Sequence, residues 1–216
     1  MNWRLTLWVL AISSIGLNVA CAEFSYSYYS QPRRMGPGHV RSHSIRFSLE
    51  HCEIHVTSLN TVYLGSRTEV FPFVPGPLRQ APKNIPEDLK VAILIFPKAT
   101  GLTFDPFRLI HKGTDGHPVS PSRVGYPNQR IAEGLSSYHG GKWKTCMEQK
   151  DAGRPFDRSD GALPITGSAC FLITFEVDAD PARPYSLAIE GVAKGGEGVL
   201  IPLIHFAKDK KSDYAV

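Results

Sequence analysis

The sequence predicts an all-β protein: an antiparallel two-sheet β-sandwich with a long Gly/Pro-rich inserted loop that carries at most a short helix. Three observations point there. Short apolar segments alternate with period two along most of the chain, as half-buried strands do. Gly/Pro clusters separate them, and no strand–helix–strand alternation signals a parallel sheet. One stretch, 112–169, breaks the rhythm with Gly, Pro, Ser and charge, and a structureless loop of that length is uncommon inside a compact domain.

The first 22 residues read as an export signal. Arg4 opens it, and an uncharged apolar run from Leu5 to Leu17 follows. That run is shorter than the roughly 20 residues that span a bilayer. Ala20-Cys21-Ala22 is an A-x-A cleavage site, which predicts a mature chain beginning at Glu23 and a periplasmic or secreted protein. A competing pattern places the cut before Cys21 and leaves a lipidated cysteine and a membrane-anchored protein. Asn18 spoils that pattern, because its slot takes an apolar residue. Segment 23–41 is expected to be extended, 42–208 to form a single sandwich domain with insertion 112–169, and 209–216 to be a charged tail.

Within the domain, His43–Glu50 places Ile45, Phe47 and Leu49 on one face. In His51–Val56 the apolar set moves to Cys52, Ile54 and Val56. The change of parity predicts a bulge or turn at Glu50-His51. Thr61–Ser66 and Arg67–Val74 read as strands, and a Pro-rich connection follows. Leu89–Pro97 is nearly continuous in apolar residues, the mark of a central strand covered on both faces. Gly101–Gly113 reads as one strand or two short ones. Inside the insertion, Asn128 is placed to cap a helix over Gln129–His139, with Ile131, Leu135 and Tyr138 on one face and Gly140 as its stop. Strands resume at Ala169–Val177, Tyr185–Val192 and Gly198–Ala207. Gly195-Gly196 marks a hairpin between the last two, and Pro202 points to an edge position or a bulge for the final strand.

Net charge is +4 and the basic residues are interleaved with acids, so no nucleic-acid surface is expected. No P-loop, dinucleotide fingerprint or Cys-x-x-Cys occurs. Three cysteines follow the signal. In an oxidising compartment Cys146 and Cys170 are expected to pair, clamping a segment unable to build its own core and contributing about 3 kcal/mol. Cys52 is then a free, buried thiol. A Cys52–Cys170 bridge is the alternative.

Two constellations carry a chemical reading. On a strand, His51, Glu53 and His55 share a face, and two imidazoles with a carboxylate are ligand types for zinc or another divalent ion. They span about 13 Å on a flat strand, too far for all three to meet one ion. The second lies in the insertion, where Tyr126, Tyr138, Trp143, Arg123, Arg130 and Arg154 are residue types of interface hot spots. Asp105, Asp115, Asp157 and Asp160 read as turn formers, and Ser136, Ser137 and His139 lack the glycine pattern of a nucleophile elbow. The leading expectation is a non-enzymatic binding or structural module of the bacterial cell envelope, with a protein or glycan partner and no cofactor. The alternatives are a metal-dependent periplasmic enzyme using His51 and His55, and a lipoprotein of an envelope assembly anchored at Cys21.

Overall fold

The computed structural model describes residues 21–33, 39–41, 43–70, 74–75, 79–80, 85–139 and 155–215. About half of the chain is strand, with one short α-helix. Eighteen strands occur among the described residues, numbered in chain order, and they form three sheets rather than the expected two. Every pairing with a described register is antiparallel.

The first sheet runs β11 (Pro118–Val119), β10 (Leu109–Lys112), β15 (Tyr185–Ile189), β18 (Ile204–Ala215), β1 (Cys21–Pro32), β5 (Thr61–Val70) and β6 (Val74–Pro75), with β7 (Arg79–Gln80) also on β5. The second runs β12 (Arg123–Gly125), β14 (Ala169–Phe175), β8 (Leu89–Pro97), β4 (Cys52–Ser58), β3 (Ser44–Ser48) and β2 (His39–Arg41). The third is small: β13 (Leu163–Ile165), β9 (Leu102–Phe104), β16 (Val192–Lys194) and β17 (Glu197–Gly198).

The described chain divides into two compact units. The larger takes its described residues from 28–62 and 85–210, and the smaller from 21–27, 63–80 and 211–215. The larger unit holds one principal core, to which all three sheets contribute: Ile54, Ile93 and Phe171 from the second, Leu187 and Phe206 from the first, and Phe104 and Val192 from the third. The alternation explains the burial. Ile45 and Phe47 are buried on β3, and Cys52, Ile54 and Val56 on β4, because the chain turns over Leu49–His51 and Leu49 N–H donates to Cys52 C=O at 2.9 Å. The parity shift is a hairpin turn. β8 lies between β4 and β14 as a central strand should.

Several expectations change. Thr61–Val70 is one continuous strand, and Gly101–Gly113 resolves into β9 and β10 joined by a 3-10 turn at Pro106–Arg108. β1 and β2 fall largely within the extended segment 23–41, and β18 runs on through residue 215. β18 is flanked by β15 and β1, so it is not an edge; it starts beyond Pro202, and the missing proline N–H falls outside the ladder. The Gly195-Gly196 turn is present, both residues at positive φ (60° and 89°), but it links β16 to β17 within the small sheet. A two-residue turn with both centres left-handed suits the twist of a hairpin and favours glycine at each.

Candidate functional site

The described residues of the insertion 112–169 carry secondary structure of their own. They include β11, β12, the helix α1 (Gln129–His139), a 3-10 turn at Arg158–Asp160 and β13. Asn128 caps α1 as its position predicts: Asn128 Oδ1 accepts from Ile131 N–H at 3.0 Å. That satisfies one of the helix's orphan donors. Ala132 and Leu135 are buried with Ala92, Leu94 and Cys170, so the helix covers the outer face of the second sheet and makes a smaller, separate apolar cluster there. Ile131 is half-buried beside it. Just before α1 the chain leaves β12, and after residue 154 it returns to the same place. Gly125 bridges to Pro155, and Phe156 N–H donates to Val124 C=O at 2.8 Å. Both stems of the 126–154 segment are therefore pinned side by side.

The outer face of the second sheet also carries the histidine pair. The register aligns His55 with Leu94 and Leu94 with Cys170, one row away from the core-facing Ile54–Ile95 row. His55 Nε2 meets Glu53 Oε1 at 2.5 Å, with the imidazole buried and edge-on to Phe96 at 5.5 Å. Beside them Thr57 Oγ1 is buried without a hydrogen-bond partner. Glu53 and His55 thus share the face that the alternation assigns them, and the structure brings them together. His51 does not join them. The hairpin turn ends at His51 and the strand begins at Cys52, so the i, i+4 geometry does not apply; its Nε2 lies 4.0 Å from Glu50 Oε2 instead. Among the described residues no three His, Cys, Asp or Glu side chains gather as a metal group.

Cys52 is free and buried in the principal core, and burial pushes its thiol up to about 11, with the Lys98 ammonium opposing weakly. Cys170 lies in the other cluster, on the opposite face of the sheet. A Cys52–Cys170 bridge is therefore ruled out: β8 lies between their strands, which puts them two strand spacings apart, and the two thiols point to opposite faces of the sheet. Cys146 lies outside the described residues.

Of the expected partner-binding residues, Tyr126 is half-buried and packs its ring on Phe156 (4.7 Å) and Phe171 (6.3 Å), so most of its surface is spent on the protein's own core. Arg123 is ion-paired to Asp88 at 2.6 Å. Arg130 is exposed on α1. Trp143 and Arg154 lie outside the described residues, as do the side chains of Tyr138, Ser136, Ser137 and His139; so does Cys21, as a side chain. The loop aspartates cap turns: Asp105 accepts from Phe107 N–H, Asp115 from His117 N–H, and Asp157 and Asp160 form a reciprocal capping box. The backbone and hydroxyl of Ser159 hold the Asp157 carboxyl below the usual range.

One polar cluster is not foreshadowed by any motif. Tyr185 O–H donates to Ser58 Oγ at 2.9 Å, and Ser58 O–H donates to Asn60 Oδ1. Asn60 Nδ2 donates to Ser30 Oγ at 2.8 Å and to Ala179 C=O at 3.2 Å. All four side chains are buried, and desolvation pushes the Tyr185 phenol up, so it stays a donor. Every group is satisfied and sealed from solvent, which makes the cluster a structural clasp between β1, the end of β4 and β15. His111 lies at 5.1 Å from the Tyr185 ring and 5.7 Å from Phe175, its Nδ1 buried without a partner.

No family model, no curated protein and no solved structure matches this chain.

Proposed function

We propose that this chain is an exported protein of the bacterial cell envelope that binds a macromolecular partner, a protein or a glycan, and performs no chemistry. The scaffold is read as a β-sandwich whose two larger sheets close over the principal core, and the recognition element is the 126–154 segment. One observation carries the reading: the two stems of that segment are tied to each other at Gly125–Pro155 and Val124–Phe156, while its capped helix packs on the outer face of the second sheet. Holding the two stems together and fixing a capped helix between them costs conformational entropy. A core that needed only a connection has no use for it, and recognition typically sits on loops held by a rigid scaffold. A Cys146–Cys170 disulfide would fasten the chain beyond α1 to the sheet that α1 covers.

The test is a pull-down from envelope extract with the intact protein and with variants Arg130→Ala and Trp143→Ala/Arg154→Ala. A specific partner lost in the variants supports the reading. Equal recovery by folded variants removes these residues from it, and turnover of a substrate that depends on a loop carboxylate overturns the non-enzymatic claim. Intact-mass analysis of the native protein separates the two export readings: a chain starting at Glu23 is the released form, and a diacylated Cys21 the anchored one. Elemental analysis decides the metal alternative, which needs a ligand beyond Glu53 and His55.

A further inference from the structure

Where the end of β8 meets the small third sheet lies a cleft of about 400 Å³. Pro97, Leu102, Pro164 and Ile165 give it apolar walls, and the hydroxyl residues Thr100 and Thr166, both exposed, also line it. The volume falls in the range of small-molecule sites, which pair apolar walls with a few placed polar groups. The one charged residue of the lining is cationic. Lys98 lines the cleft, and its ammonium is held by Ser48 Oγ at 2.9 Å and Leu49 C=O at 2.8 Å. Both acceptors are neutral, and among the described residues Lys98 has no ion-pair partner. The Lys194 ammonium rests against Gly101, 3.4 Å from where a Cβ would stand. Gly101, at φ +73° and tied to Gly195 N–H through its carbonyl, keeps the space for it. Lys194 faces Glu197 across the hairpin register yet forms no ion pair with it. Two ammonium groups thus stand at an apolar trough, Lys98 in its lining and Lys194 against Gly101; among the described residues neither forms an ion pair, and the lining holds no carboxylate.

We propose that this cleft binds a small amphiphilic anion, an organic acid whose carboxylate or sulfonate meets Lys98 and Lys194 while its apolar body lies between Pro97 and Pro164. A pre-positioned ammonium loses little freedom on binding, and a partly enclosed site strengthens its attraction for an anion. This site is independent of the partner reading above, and either stands if the other fails.

The probe is anilinonaphthalene sulfonate, an amphiphilic anion whose fluorescence reports binding, compared with its uncharged counterpart phenylnaphthylamine. The full-length protein is expected to bind the anion saturably at one site. Affinity should weaken severalfold as salt rises from about 0.02 M to about 0.5 M. Lys98→Gln/Lys194→Gln is expected to weaken the anion at least tenfold and the uncharged analogue little. Thr166→Glu, at an exposed position, adds a carboxylate to the rim and should have the same selectivity without endangering the fold. Backbone amide shifts induced by the probe should cluster at Thr100, Gly101 and Thr166. Equal affinity for the two probes, unchanged affinity in both variants, absence of saturable binding, or shifts confined to another part of the molecule would each overturn the proposal.

Discussion

Replacing Asn60 by alanine tests the buried clasp. Its side chain accepts from Ser58 O–H and donates to Ser30 Oγ and Ala179 C=O. The substitution removes all three bonds and leaves one hydroxyl donor and two oxygen acceptors short of a partner where water does not reach. A typical hydrogen bond contributes about 1 kcal/mol net, and an orphaned buried group costs about 1–3 kcal/mol. The expected loss for Asn60→Ala is about 3–4 kcal/mol, a large share of an ordinary domain's stability. Tyr185→Phe is the internal standard. It removes one donor to Ser58, keeps the stacked contact of the ring with Phe206 at 4.7 Å, and should cost about 1 kcal/mol. Because both substitutions act through Ser58, the double variant should be less destabilised than the sum of the two, by about 0.5 kcal/mol or more. Urea unfolding followed by intrinsic fluorescence gives all three values at constant slope. A loss under about 1 kcal/mol for Asn60→Ala, or a larger loss for Tyr185→Phe, would refute the view that this network fastens the strands.

Three further outcomes follow from buried groups. Burial holds the His111 pKa below 6.5, with Asp115 opposing; the unfolded chain therefore takes up a proton that the folded chain resists, so stability declines as pH falls through 6.5 and levels off below the folded-state value. The slope of unfolding free energy against pH in that window should flatten in His111→Phe, and an unchanged slope would show that other groups set it. Gly191→Ala would place a methyl carbon 1.9 Å from Asp105 C=O, on backbone that is hydrogen-bonded to Gly191 itself; a thermal unfolding scan should show a loss of about 3 kcal/mol or failure to fold. Cys52 should resist a thiol reagent in the native protein and react fully in denaturant, since its thiol is buried and raised to about 11; rapid native labelling would contradict its placement in the core.

What the sequence revealed was local. The odd-to-even switch between Leu49 and Cys52 is legible because strand side chains alternate one residue at a time. Asn128 announces α1 because a cap lies within a few residues of the donors it satisfies. The same logic placed Glu53 and His55 together and failed for His51, since the pattern marks a turn near Glu50-His51 without saying on which residue the strand resumes. The third sheet was not legible: Leu102–Phe104 pairs with Leu163–Ile165 on one side and Val192–Lys194 on the other, partners some 60 and 90 positions away. The clasp was hidden for the same reason. Asn60 is 30 residues from Ser30 and 119 from Ala179, and nothing about an isolated asparagine names such partners. The lysine-flanked cleft draws on three segments at once, so no single window contains it.

The place of β18 in its sheet has a consequence for biosynthesis. Residues 204–215 sit between β15, drawn from residues 185–189, and β1, drawn from residues 21–32. Until the ribosome has released residue 215, β1 and β15 each keep a bare row of amide and carbonyl groups on the edge where β18 belongs. Such edges invite pairing with other chains. The nascent polypeptide therefore cannot complete this sheet from its N-terminal end as it emerges, and a product cut short before residue 204 would carry two open edges into a crowded compartment. Any factor that shields the growing chain has to hold β1 until residues 204–215 have emerged.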